Sequence, residues 1–180
     1  MNYKARALAV LVAATATSAA MASDGTINFN GELKAETCVV AVNGGGATGT
    51  VVTLPTLPTS VLASTGQVAG QTGFNIQLSQ CSAALKTAAA YFEAGSTVDP
   101  LTGNLRNSGG AGNVQLQLVD ATNGNAIKAG DIGQVASTSR VDIDAASLTA
   151  DLPYAVQYFA ESATAPGTVI SSVTYSINYQ

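Results

Sequence analysis

An all-β fold, an antiparallel sandwich of short strands, is what this sequence predicts, and three observations predict it. The first is period-two alternation of apolar and polar residues over several short stretches, the mark of a strand with one buried and one wet face. The second is turn chemistry: 18 glycines, together with Asn and Pro, punctuate the chain between those stretches, at roughly the ten-residue spacing of an all-β domain. The third is composition. Only 10% of the 180 residues are charged, against 47% hydrophobic, and the bias to Gly, Ala, Thr and Val suits sheets with tight turns better than a helix bundle.

The chain opens Met1-Asn-Tyr-Lys4-Ala-Arg6, runs apolar and small from Ala7 to about Ala14, and stays small through Ala20-Met21-Ala22. A basic start, a short apolar core and an A-x-A site describe a secretory signal peptide over residues 1–22. The core is too short to span a bilayer, and no later stretch reaches the roughly 20 residues that a span needs. Cleavage after Ala22 leaves Lys34, Lys86, Arg106, Lys128 and Arg140 against eleven acidic residues, a net charge of about −6. Five scattered cations form no basic stripe, so no nucleic-acid partner is expected. With no amphipathic basic helix, no direct membrane insertion is expected either. In an exported chain Cys38 and Cys81 are expected to pair.

Ile27, Phe29, Gly31 and Leu33 alternate with Asn28, Asn30, Glu32 and Lys34, a strand pattern that runs on to Cys38 and Val40. Asn43-Gly44-Gly45-Gly46 is a turn. Thr50–Leu54 reads as a short strand ended by Pro55 and Pro58. Residues 57–70 have room for a helical turn, as do residues 81–87. Thr72–Cys81 alternates, with Phe74, Ile76 and Leu78 on one face. Thr87–Ala94 is a further strand, closed by Asp99-Pro100. Val114, Leu116 and Leu118 face one way along Asn113–Asp120, and Asn123-Gly124 supplies a hairpin turn before Ala126-Ile127. Ala145–Leu148 and Tyr154–Ala160 read as strands. From Gly167 the odd positions Val169, Ser171, Val173, Tyr175, Ile177 and Tyr179 alternate with mostly polar or small residues to the end of the chain. Many short strands with Gly and Asn turns argue for immunoglobulin-like topology.

Chemistry is thin. The sequence holds no histidine, which removes the usual general base and the commonest metal ligand. No phosphate loop, dinucleotide fingerprint or zinc spacing occurs. Asp142 and Asp144, two apart, read as a solvated pair rather than a glycosidase dyad. Asp120-Ala-Thr-Asn123-Gly124 lacks the spacing and closing glutamate of a calcium loop. The expectation is no enzyme, no catalytic residue, no metal and no cofactor.

Four segments carry a resemblance: Gly25-Thr-Ile-Asn-Phe-Asn-Gly-Glu-Leu-Lys-Ala-Glu-Thr-Cys38; Gly73-Phe-Asn-Ile-Gln-Leu-Ser-Gln-Cys81; Leu152-Pro-Tyr-Ala-Val-Gln-Tyr-Phe159; and a terminus with Gly167 fourteenth from the end and Tyr179 penultimate. Together, in this order, the chain resembles subunits of chaperone–usher pili, of the type 1 fimbrial major-subunit kind, over essentially all of the mature sequence.

The resemblance implies an incomplete immunoglobulin-like β-sandwich that lacks its last strand and is completed by a donor strand from a neighbouring subunit or chaperone. It implies residues 23–33 as an N-terminal donor-strand extension and residues 34–180 as the pilin domain. Ile27, Phe29 and Leu33 would enter pockets of the next subunit, with Gly31 where the family keeps the donor small. Gly167, Val169, Val173, Tyr175, Ile177, Tyr179 and Gln180 would form the acceptor groove and chaperone-binding strand, and Cys38–Cys81 would pin the first strand to the second. The implied partners are other copies of itself or related pilins, a periplasmic chaperone and an outer-membrane usher, in a fibre at the cell surface that supports adhesion. A different reading of the same composition is a free-standing secreted binding domain, lectin-like.

Overall fold

Nine strands packed as two antiparallel sheets make up the sandwich in a computed structural model that describes residues 37–180. The signal-peptide reading and the donor residues Ile27, Phe29, Gly31 and Leu33 lie outside the described residues. The larger sheet has the order β1 (Val39–Val42), β2 (Val68–Ser79), β8 (Ala150–Ala165), β5 (Gly112–Asp120), β4 (Leu105–Arg106), with β6 (Ala126–Ile127) also on β5. The smaller sheet is β7 (Val141–Asp142), β3 (Thr87–Phe92), β9 (Tyr175–Tyr179).

Alternation decides which side chains meet between the sheets. Ile76 and Leu78 of β2, Leu116 and Leu118 of β5, and Leu152, Tyr154 and Val156 of β8 bury inward against Ala88, Ala90 and Phe92 of β3. Phe92 meets Tyr154 edge-on, with ring centroids 5.2 Å apart and planes at 88°, the arrangement that aromatic quadrupoles favour. Pro153 falls on β8 beyond its last pair with β5, Asp120↔Tyr154, a stretch flanked by β2 alone, where a missing N–H is tolerated.

β7 pairs with only the first two residues of β3, at Thr87↔Asp142 and Ala88↔Val141. Side chains satisfy the rest of that edge. The Ala90 N–H donates to the Tyr154 hydroxyl at 2.8 Å. The amide of Gln134, on the short helix α1 (Gln134–Ser137), donates to the Phe92 carbonyl and accepts its N–H, both at 2.9 Å. The buried Gln134 thus does the work of a strand neighbour, and no backbone group of Phe92 is stranded.

Several sequence expectations need correction. Thr50–Leu54 joins no ladder; Thr50, Val51, Val52 and Leu54 line an opening described below instead of pairing. Ala145–Leu148 is a turn between the bridged residues Asp144 and Thr149, with Leu148 in the left-handed region at φ 56° and Asp144 accepting from the Ala146 and Ser147 N–H groups. Residues 59–62 do form a 3-10 turn, whereas residues 81–87 hold only a turn closed by the Leu85 N–H on the Ser82 carbonyl. β4, β7 and α1 were not foreseen.

Candidate functional site: an apolar groove between two sheet edges

Each sheet ends in an edge strand on the same side of the sandwich. β1 is the outer strand of the larger sheet and β9 that of the smaller. Between them runs a groove of about 940 Å³. One lip carries Val40, Val42, Val52 and Leu54, the other Val173, Tyr175, Ile177 and Tyr179, and its floor reaches Ile76, Phe92, Leu116 and Leu118.

The sequence builds the second lip by simple alternation. Val169, Ser171, Val173, Tyr175, Ile177 and Tyr179 are all half-buried, while residues 168, 170, 172, 174 and 176 are exposed. The period of two therefore holds throughout this stretch, although only Tyr175–Tyr179 is laddered to β3. The ladder fixes which backbone groups are engaged. The Glu93 N–H donates to the Thr174 carbonyl at 2.9 Å, and Thr87 and Gln180 exchange both bonds, each at 2.9 Å. By the antiparallel alternation, the even residues of β9 face β3, and the N–H and C=O of Tyr175, Ile177 and Tyr179 face the groove. No described strand takes that edge. The Ser171 hydroxyl, in the same wall, is buried without a hydrogen-bond partner among the described residues.

Three devices hold this lip. Arg140 lays its guanidinium across the end of the small sheet, donating to the Thr87 hydroxyl (2.9 Å) and carbonyl (3.2 Å) and to the Asn178 side-chain oxygen (2.7 Å) and carbonyl (2.9 Å). Gln180 presents its terminal oxygen to the Lys86 and Thr87 N–H groups at 2.7 and 2.9 Å. Upstream, the glycine loop at 109–112 docks on residues 167–170: the Ala111 N–H donates to the Thr168 carbonyl at 3.0 Å and the Ser108 N–H to the Ile170 carbonyl at 2.8 Å. A Cβ on Gly167 would collide with the backbone of Gly110 and Ala111. Close approach is thus the physical reason for glycine at this position. Neither the loop at 109–112 nor Arg140 carries a periodic signal that would mark it in the sequence.

The first lip is tied down by the disulfide predicted between Cys38 and Cys81, whose Cα atoms are 4.1 Å apart. It joins the start of β1 to the end of β2, where Val39 faces Ser79. Of the other candidates, Asp142 lies exposed on β7 and Asp144 caps its turn, as described. Asp120 closes a hairpin, its carboxylate buried and accepting from the N–H groups of Thr122 (2.9 Å) and Ser139 (2.6 Å). Burial raises its affinity for a proton, yet these hydrogen bonds outweigh burial and hold the carboxyl below its ordinary value.

An apolar groove beside a sheet edge that no described strand pairs is the kind of surface on which β-strand addition occurs. Residues 54–180 match the family model for type-1 fimbrial protein, A. A major fimbrial subunit, SMF-1, of Stenotrophomonas maltophilia is 44% identical over 170 residues, covering 92% of this chain and 98% of the relative. The F17 fimbrial protein of Escherichia coli is 42% identical over 176 residues, covering 94% and 95%. Among solved structures, the P pilus rod subunit PapA superposes with a TM-score of 0.53 at 16% identity, covering 86% of this chain and all of that one, a likeness of fold. The chain belongs to the type-1 fimbrial protein family. It is a structural subunit of a surface pilus, exported through the periplasm to the fimbria, and it polymerises with other pilins.

Proposed function

We propose that the subunit polymerises head to tail by donor-strand exchange, residues 23–33 of one copy entering the groove of the next. The observation that carries this reading is the coincidence of an apolar groove with a backbone edge on β9 that no strand among the described residues pairs. The donor's Ile27, Phe29 and Leu33 supply the missing apolar side chains, each contributing about 1.5–3 kcal/mol on full burial. Gly31 lies on the same face of that segment, where a larger side chain would hold the strand away from the floor. Donor backbone groups bond the edge of Tyr175, Ile177 and Tyr179 and give the Ser171 hydroxyl a partner. Before assembly, a periplasmic chaperone lends its own strand to the same groove and holds Tyr179 and the Gln180 carboxylate until the outer-membrane usher brings the next subunit. Residues 1–22 are removed on export. Such a contact does not close on itself, so it generates a fibre.

The role is architectural and carries no enzymatic activity. A free-standing lectin-like domain is not favoured, because a self-sufficient sandwich has no use for a slot along its core. The test is a gel of sheared surface material from cells making the wild-type chain or Gly31→Leu. The wild type gives a ladder of unboiled oligomers that collapses on boiling to one band, and Gly31→Leu abolishes it. An undiminished ladder from Gly31→Leu would refute the donor assignment.

A further inference from the structure

Two hydrogen bonds cross the groove from lip to lip, and both use tyrosines of β9. The Tyr175 hydroxyl donates to the Ala47 carbonyl at 3.1 Å. The Cys38 N–H donates to the Tyr179 hydroxyl at 3.2 Å. All four residues line the groove, and these are the only bonds that join residues 37–54 to residues 171–180 among the described residues.

The geometry points to Tyr175 and Tyr179 as struts that hold the two lips one strand apart, so that the groove is preformed for its donor. This inference rests on the donor-strand reading above. Its physical basis is a comparison of lengths. A strand inserted between two others sets their axes about 10 Å apart, twice the inter-strand spacing. An extended tyrosine plus one hydrogen bond crosses about that distance. An apolar slot in water is driven to close on itself. Rigid aromatic rings, with only two rotatable bonds each, oppose that closure at little entropic cost. A latch would draw the lips together and shut the slot. Here the lips are bridged and the groove still measures about 940 Å³, which is the behaviour of a strut.

The two bonds also divide the labour. Tyr179 reaches the backbone of the disulfide-bonded Cys38, a fixed point. Tyr175 reaches the turn that follows β1, the less constrained end of the lip. Burial pushes the Tyr175 phenol up from its ordinary value, so the hydroxyl stays a donor across the neutral range. Tyr175 is accordingly a positioning residue for strand exchange, acting through the width of the groove.

The experiment uses the chaperone-bound chain and a synthetic donor peptide of residues 23–36, and follows the appearance of a heat-resistant complex on unboiled gels. Tyr175→Phe removes only the hydroxyl. It is expected to slow exchange about tenfold, to reach the wild-type endpoint under excess peptide, and to leave the melting temperature of the finished complex unchanged. Tyr179→Phe is expected to act in the same direction. An exchange rate equal to or faster than wild type overturns the strut. So does an endpoint or melting temperature that falls along with the rate, since that marks an ordinary folding residue. Failure of the wild-type chain to exchange at all overturns the donor-strand reading itself, which separates the two failures.

Discussion

Two residues show what local chemistry contributes, one beside the groove's second lip and one away from the groove lining. Gly167 has no room for a side chain against Gly110 and Ala111, so Gly167→Ala must push the 109–112 loop away from residues 167–170. The expected cost is about 1–3 kcal/mol, the range for overpacking a close contact, read as a lower denaturant midpoint of the donor-filled subunit. Asp120 works far from the groove. Its carboxyl is held below the ordinary value of 3.8, so the sign is fixed: its stabilisation is fully present above that value and is lost as pH falls through the lower folded value. Asp120→Asn keeps the shape but places an amide donor opposite the N–H groups of Thr122 and Ser139. The variant should be less stable by about 1–3 kcal/mol at neutral pH, and the gap should narrow below pH about 4. A gap constant down to pH 2 would show that the charge contributes nothing.

At the scale of elements, the strands that carry a full period were legible and the shorter ones were not. β2, β5 and β8 span 12, 9 and 16 residues, enough for Phe74, Ile76 and Leu78, or Val114, Leu116 and Leu118, to declare a face. β4 and β7, at two residues each, contain no period to read. β7 can be so short because the Tyr154 hydroxyl and the Gln134 amide finish the edge of β3, a tertiary fact invisible in local sequence. Thr50–Leu54 misled for the opposite reason: its β propensity is real, but it fronts the groove rather than a partner. Half of the candidate site was readable as alternation in residues 169–179. The brace of that lip was not, because Arg140 reaches it from the connection between α1 and β7. Arg140→Met keeps the apolar stem and deletes the four hydrogen bonds that Arg140 donates to Thr87 of β3 and Asn178 of β9. Faster amide exchange at Ser176 and Asn178 is expected, with a loss of about 1–3 kcal/mol. Arg140→Lys should recover less than half of it, since an ammonium cannot reproduce the planar fork. Full recovery by lysine would reduce the role of Arg140 to charge.

On the donor-strand reading, the whole molecule must hold an unfinished shape until a neighbour completes it, and the disulfide is the covalent part of that task. Cys38–Cys81 spans 43 residues, a loop whose closure contributes about 4 kcal/mol by restricting the unfolded chain. Its placement matters as much as its size. Cys38 lies just ahead of β1 on the first lip, and its N–H donates to the Tyr179 hydroxyl, so the disulfide fixes one end of the groove to β2 and, through Tyr179, to β9. The Cys38→Ser, Cys81→Ser double variant should therefore lose about 4 kcal/mol in denaturant unfolding of the donor-filled subunit. It should also lose disproportionately more assembly, measured as pilus yield per cell, because the unfilled subunit has no donor strand to secure the lip. A variant that loses stability yet assembles at the wild-type level would confine the disulfide to the finished fold. Joint loss, with the deficit in yield relieved by supplying donor peptide during refolding, is the outcome expected of a staple that keeps an open groove in shape.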